Sequence, residues 1–291
     1  MYEQNREAAA PEGRGFLRPV ADPARPDTPR RWLGRYLSPA LLIVLVLAVF
    51  VPALDAGLVG WDDEDLVRAA MSHRSLTGDN LWWMFTTSYS GHFQPLTWLT
   101  YALDRAVWQR ETFGYHLTNV CLHIATVLAF YYIARRLLSG NENRPEARYD
   151  TPVLAAAALA AALFAVHPLR SESVAWIAER RDVLSGCLYL ASVLFYLRYV
   201  AARRADGEAA AGKRAYPYVT SVALCGLSLL AKASAVTLPV VLCILDRYPL
   251  RRFPRRPLQA HRPEIGMEVG PGGRSIRFPT CYWPSPRPRP P

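Results

Sequence analysis

The chain alternates between long apolar blocks and short basic connectors, without the periodic polar stripe of a soluble fold. Its apolar blocks are Tyr36–Leu58, His116–Leu138, Pro152–Val166, Val183–Val200, Tyr216–Ala231 and Val236–Leu250. Read as spans, they predict an all-α, polytopic membrane helical bundle of about six transmembrane helices. The third, fifth and sixth blocks are shorter than the ~20 residues of a perpendicular crossing. They must borrow flanking residues or meet a locally thinned bilayer. Fusion of the last two into one helix is the alternative, opposed by Lys232 between them and Pro239 just after. Pro52, near the end of the first block, is tolerable in a membrane helix. Between the first two blocks, Leu81–Thr86 and Pro95–Trp108 read as interfacial helices lying flat in the first outer loop, or as helices packed on the membrane spans.

The ends read differently. Residues 1–36 are polar, carry five prolines and predict a disordered cytoplasmic tail rather than a signal peptide. Residues 257–291 run through GPGG to PSPRPRPP with no apolar period. The abrupt change after Arg256 predicts a disordered Pro/Arg-rich tail, either natural or the product of a frameshift or truncation, with the latter favoured. Residues 37–256 remain as the membrane domain.

Charge adds an orientation. With six spans, Arg30, Arg31 and Arg35, then Arg135, Arg136, Arg144 and Arg148, then Arg198, Arg203, Arg204, Lys213 and Arg214, then Arg247, Arg251, Arg252, Arg255 and Arg256 all fall on one side. Retention of Lys and Arg in cytoplasmic segments makes that side cytoplasmic, along with both termini. It also accounts for the net charge of +10, which in the absence of any nucleic-acid motif does not point to nucleic acid. Loops 59–115 and 167–182 and the turn at Lys232 then face the other side. The five cysteines form no C-x-x-C pair, and four lie in apolar blocks, which predicts buried small hydrophobes rather than a zinc or disulfide framework.

Candidate chemistry concentrates in those outer loops. Gly60-Trp61-Asp62-Asp63-Glu64-Asp65 sets consecutive acids at a helix exit. They are either solvated acids at a helix N-terminus or carboxylates held at the membrane surface to accept a proton from a hydroxyl or bind a cation. Trp61 would act as an interfacial anchor. His92 is a lone loop histidine. His116, Asn119 and His123 share one helix face and either bond neighbouring helices or line a polar path. In residues 167–182, a helix over 171–180 would align Glu172, Trp176 and Glu179. Arg180 and Arg181 can hold a phosphate; the alternative is an ion pair of Glu172 or Glu179 with Arg180, with Asp182 capping the next span. Lys232 is a second anion-binding candidate or a snorkelling helix-end marker.

These segments resemble a known family. HPLRSESVAWIAERRDVLSG, residues 167–186, resembles the hallmark loop of the transmembrane O-mannosyltransferases that carry C-terminal tetratricopeptide repeats, and of their bacterial relatives. HFQPLTWLTYALDRAVW and FGYHLTNVCLH, within residues 92–123, and LLAKASAVTLPVVLCILDRYPL, residues 229–250, support the likeness. The resemblance covers about residues 37–256 and implies a C-type glycosyltransferase using a polyprenyl-phosphate sugar donor. It implies catalytic roles for Asp62 and Asp63, with Asp62 as general base. Arg180, Arg181 and Lys232 would stabilise the departing lipid phosphate, and His167 and Glu172 would shape the sugar pocket. No metal or other cofactor is called for. The partners implied are the donor lipid, membrane lipids and an acceptor protein or glycan. The location implied is a bacterial inner membrane rather than endoplasmic reticulum. The chain departs from the family pattern in two ways. No 34-residue repeat is present, and Ala233 replaces a proline after the lysine. A transporter or lipid flippase, and a non-catalytic truncated remnant or scaffold, are the competing readings.

Overall fold

The computed structural model describes residues 29–59, 62–63, 76–89, 91–139, 149–205 and 211–252. Most of the expected N-terminal tail, all of the expected C-terminal tail, and Trp61, Glu64 and Asp65 lie outside the described residues. Among the described residues the structure is helical, with no strand. Helix α1 (Pro29–Phe50) continues as a 3-10 turn, Val51–Asp55. Then come α2 (Gly78–Thr86), α3 (Pro95–Trp108), α4 (Thr112–Leu138), α5 (Thr151–Ala165) and α6 (Leu169–Ala175). The described residues continue with α7 (Arg180–Ala205), α8 (Ala211–Ala231), a 3-10 turn (Ala233–Thr237) and α9 (Leu238–Arg247). The first helix begins at Pro29, inside the segment expected to be tail.

Helices occupy all the places where spans were expected, but they are not equal. Tyr36–Asp55, Thr112–Leu138 and Arg180–Arg203 are long and apolar enough to cross a bilayer. Helices α5 and α6 pass that test only together, and a 67° bend separates them. Ala215–Ala231 is a shorter apolar helix, and α9 has 10 residues. The fused alternative does not form. Lys232 adopts an extended backbone (φ −154°, ψ 132°), and the chain restarts as the 3-10 turn and then α9.

Packing follows the small residues. Along α5, Leu154, Ala157, Ala161 and Ala165 fall at helical spacing and are buried against Leu42, Val46 and Phe50 of α1 and Val120, Val127 and Tyr131 of α4. Alanine lets three backbones approach closely where lipid supplies no hydrophobic drive between helices. The opposite face of α5 exposes Leu159 and Leu163, at 63% and 62%, an apolar exterior suited to lipid. Helices α7 and α8 make the most extensive helix pair. Four serines join them: Ser185 to Ser228 and Ser192 to Ser221, with hydroxyl oxygens 3.0 and 3.1 Å apart. Ser228 Oγ also donates to the Ser185 carbonyl at 2.9 Å, and Ser221 Oγ to that of Ser192 at 2.9 Å.

The polar face of α4 closes the ends of other helices. His116 Nε2 donates to the Ala56 carbonyl at 3.0 Å, just past the turn that ends α1. His123 Nε2 donates to Ala165 O at 3.0 Å, at the end of α5. Asn119 Nδ2 donates to Val174 O and Trp176 O at 3.2 and 3.3 Å, at the end of α6. Helix C-termini leave carbonyls without intrahelical partners, and water is scarce at membrane depth. The interhelical reading of these residues is the one observed. The cysteines differ from expectation: Cys121 and Cys243 are exposed, Cys187 and Cys225 half-buried, and none of these is paired. They sit at helix surfaces and interfaces, not in the innermost packing.

Candidate active site

An aromatic cluster mounts the first outer loop on the second. Met84, Trp98, Tyr101, Tyr115, Ile177 and Ala178 are all buried together. Trp83, Tyr89, Trp98 and Tyr101 meet edge to face, with centroids 5.8–6.2 Å apart. Helix α3 forms with the expected bounds, yet it does not simply lie on a surface. It buries Thr97, Trp98, Tyr101, Ala102 and Asp104 and tilts its other face, with Leu103 and Val107, outward. Thr97 Oγ1 donates to Ala231 O at 3.2 Å, and Tyr101 OH donates to Ile177 O at 2.7 Å. These bonds bring α3, the end of α8 and the 176–179 turn to one place.

Two candidate loops touch directly. Asp63 is fully buried; its Oδ1 accepts the Ala178 N–H at 2.8 Å and its Oδ2 accepts the Val59 N–H at 2.9 Å. Burial raises the Asp63 carboxyl above its ordinary range, while the N–H bonds from Val59 and Ala178 pull the other way. Its neighbour Asp62 is exposed. Of the acidic pair, one carboxylate is therefore engaged by backbone and the other stands open to a ligand.

The expected 171–180 helix does not form. Helix α6 stops at Ala175, and the chain turns through residues 176–179 before α7 starts at Arg180. Glu172, Trp176 and Glu179 accordingly do not share a helix face. Glu172 is exposed on α6. His167 is also exposed, and its Nδ1 accepts the Leu169 N–H at 3.3 Å at the start of α6. Neither contacts the acidic pair.

The arginines divide by environment. Arg180 is fully buried and its fork is occupied by protein. Its Nε donates to Asn119 Oδ1 at 2.8 Å and its Nη2 to Tyr115 O at 2.7 Å, while Nη1 pairs with Asp104 Oδ2 at 2.5 Å. Its guanidinium also lies 4.6 Å from the centre of the Tyr101 ring. Arg181, one step on, pairs with Glu179 Oε1 at 2.5 Å at the rim. Lys232 pairs with Asp182 and stands 3.8 Å from Glu179 Oε2. Asp63, Glu179, Arg180, Arg181 and Lys232 are thus gathered around the 176–182 segment, and Asp182 joins them. Asp104 was not read from sequence. The signal was an acid in register with the buried Thr97 and Tyr101 of α3, a position that demands a buried partner. Among the described residues, no group of three His, Cys, Asp or Glu side chains is placed to hold a metal. His92 lies exposed in a tight turn, where Tyr89 and His92 exchange backbone bonds around Gly91 at φ +76°.

Fold and site together define a helical membrane bundle with a charged, aromatic-walled site built from two loops. Comparison with known proteins carries this further. The chain is similar to protein O-mannosyl-transferase Tmtc3 of Drosophila melanogaster, 29% identical over 189 residues, covering 60% of this chain and 20% of that protein. It is similar to human protein O-mannosyl-transferase TMTC2, 29% identical over 221 residues, 72% of this chain and 24% of that protein. It is similar to human TMTC1, 26% identical over 278 residues, 87% and 30%. The resemblance carried by residues 167–186 is therefore a resemblance of most of the chain to the TMTC protein O-mannosyl-transferases. The chain spans between a fifth and three-tenths of the length of these relatives. No family model matches the chain, and no solved structure matches it.

Proposed function

We propose that this protein is a membrane glycosyltransferase that moves a mannose-like sugar from a polyprenyl-phosphate donor to an acceptor hydroxyl on the non-cytoplasmic side. The acceptor is a protein or glycan, and the membrane is a bacterial inner membrane with both chain ends in the cytoplasm. The observation that carries this reading is the bond from Ala178 N–H to Asp63, which ties the acidic loop to the Glu/Arg loop. Asp62, beside that clasp and exposed, serves as general base. It takes the proton of the acceptor hydroxyl as the oxygen attacks the anomeric carbon. The bond from that carbon to the phosphate oxygen breaks on the opposite face, so the anomeric centre inverts. The electron pair leaves with the polyprenyl phosphate, whose developing charge falls to the cations Arg181 and Lys232 at the rim. Asp63 and Arg180 act as positioning residues, since both are buried and held by protein groups. His167 and Glu172 are left for the sugar or acceptor side.

The transport reading rested on a polar path along α4. His116, Asn119 and His123 are bonded to backbone carbonyls, which supports the transferase instead. The test is sugar transfer in membranes supplied with radiolabelled polyprenyl-phosphate sugars. Asp62→Asn should lower transfer by about 10²-fold or more while insertion and folding persist. Full activity in that variant would remove Asp62 from the chemistry. Absence of transfer from every donor by the wild-type chain would favour the non-catalytic reading.

A further inference from the structure

A separate cavity of about 200 Å³ lies behind the rim. Thr126 lines it from α4, Phe164 from α5, Arg170 and Ser173 from α6, and Asp182 and Gly186 from α7. Arg170 differs from the other loop cations. Arg180, Arg181 and Lys232 each have a carboxylate partner, whereas Arg170 has none among the described residues. Its guanidinium stands 4.7 Å over the Phe164 ring, and its Nε is buried without a hydrogen-bond partner. The one acid on the wall, Asp182, is already neutralised by Lys232. The cavity therefore carries a net positive charge, an unused planar donor fork and the Ser173 hydroxyl. Gly186 leaves open space where a side chain would project.

We propose that Arg170 and Ser173 bind the phosphate of a lipid phosphate ester in this cavity. A guanidinium fork matches two phosphate oxygens, and a partly desolvated site strengthens the contact. The volume is below the ~300–1,000 Å³ of sites that engulf whole drug-sized ligands, so a head group enters and the tail stays outside. The outer surface beside the cavity is apolar, with Leu163 and Leu169 exposed at 62% and 67%, which gives a hydrocarbon tail a surface to follow. Asp182 sits four residues beyond the Asp63-bonded Ala178, on the wall of this cavity. This goes beyond the transferase reading, in which the departing phosphate meets Arg181 and Lys232 at the rim: the cavity is a second site for the carrier lipid, joined to the first through the Lys232–Asp182 pair, and it rests on that reading for the identity of the lipid.

The test measures binding, not transfer. Full-chain protein in nanodiscs is titrated with farnesyl phosphate, farnesol and inorganic phosphate, using wild type, Arg170→Ala, Arg170→Lys and Arg181→Ala. Farnesyl phosphate should bind wild type, and Arg170→Ala should weaken it about 10-fold or more, the weight of a charge-assisted contact. Arg170→Lys should retain part of the affinity, which separates loss of charge from loss of fold. Equal binding of farnesol would overturn the phosphate assignment, and competition by inorganic phosphate alone at equal affinity would overturn the lipid assignment. Unchanged affinity in Arg170→Ala, or loss confined to Arg181→Ala, would overturn the site. Arg170-dependent binding combined with full transfer by Asp62→Asn would sustain the site and sink the base assignment.

Discussion

Asp104 and Arg180, 76 positions apart, meet at 2.5 Å with the guanidinium fully buried. Arg180 also bonds Asn119 and the Tyr115 carbonyl, so one side chain ties α3, α4 and α7 together. Breaking a buried pair leaves an uncompensated charge and costs about 3–5 kcal/mol. Arg180→Ala and Asp104→Ala should each destabilise the bundle by about that much, and the double variant by clearly less than the sum. Arg180→Lys should not rescue, because an ammonium cannot reproduce the fork. Thermal unfolding in detergent reads all four proteins. If Arg180 served only to bind phosphate, its removal would leave unfolding unchanged.

Asp63 gives a second prediction, in which the sign matters. Burial raises its carboxyl in the folded protein above the ordinary value of about 3.9. The folded state therefore holds more protons just above that value. The contribution of Asp63 to stability is present at low pH and is lost as pH rises through the folded value. Asp63→Asn keeps an acceptor and has no such titration. The wild type should gain stability relative to Asp63→Asn as pH falls from about 7 toward about 4. Asp63→Ala, which leaves the Ala178 N–H without its acceptor, should lose about 1–3 kcal/mol at any pH. Parallel melting curves for wild type and Asp63→Asn across that range would count against the buried carboxyl.

Gly114 marks a steric limit at the start of α4. A Cβ built there would stand 2.0 Å from Cγ of Trp108, near the root of the indole and not at a flexible tip. Gly114→Ala should therefore destabilise by about 1–3 kcal/mol through overpacking. Trp108→Ala in the same chain should recover part of the loss, and the melting temperatures of the two single variants and the double variant decide it.

Much of this architecture was legible in the chain. Apolar blocks located the helices, because a bilayer permits few alternatives for a long apolar segment. The bounds of α3 followed from Pro95 and from an amphipathic pattern. The break at Lys232 followed from a charge and a nearby proline. What escaped was pairwise. Arg180 and Arg181 are adjacent and identical in type, yet one is a buried tie and the other a rim cation. The difference is set by Asp104 and Asn119, which are distant in sequence. The Asp62/Asp63 distinction likewise depends on the Ala178 N–H across 115 positions. The turn at 176–179 escaped because its residues suit a helix, and contacts from distant residues, Asp63, Tyr101 and Asn119, hold it open.

The serines joining α7 and α8 carried a signal that hydropathy hides. Ser185 and Ser192 stand seven apart, as do Ser221 and Ser228, and antiparallel packing pairs the first with the last. That register brings the end of α8 to the start of α7, so Lys232 arrives at Asp182 and Glu179. Ser228→Ala keeps the close approach and removes hydrogen bonds averaging about 0.6 kcal/mol in membrane interiors. Its effect on unfolding and on transfer should be small. Ser228→Leu must push the helices apart, at about 1–3 kcal/mol, and should displace Lys232 from its carboxylates. It should therefore lower transfer toward the level of Lys232→Ala, and adding Lys232→Ala to it should lower transfer little further. Equal transfer by the Ala and Leu variants would mean that the serine register does not position the lysine.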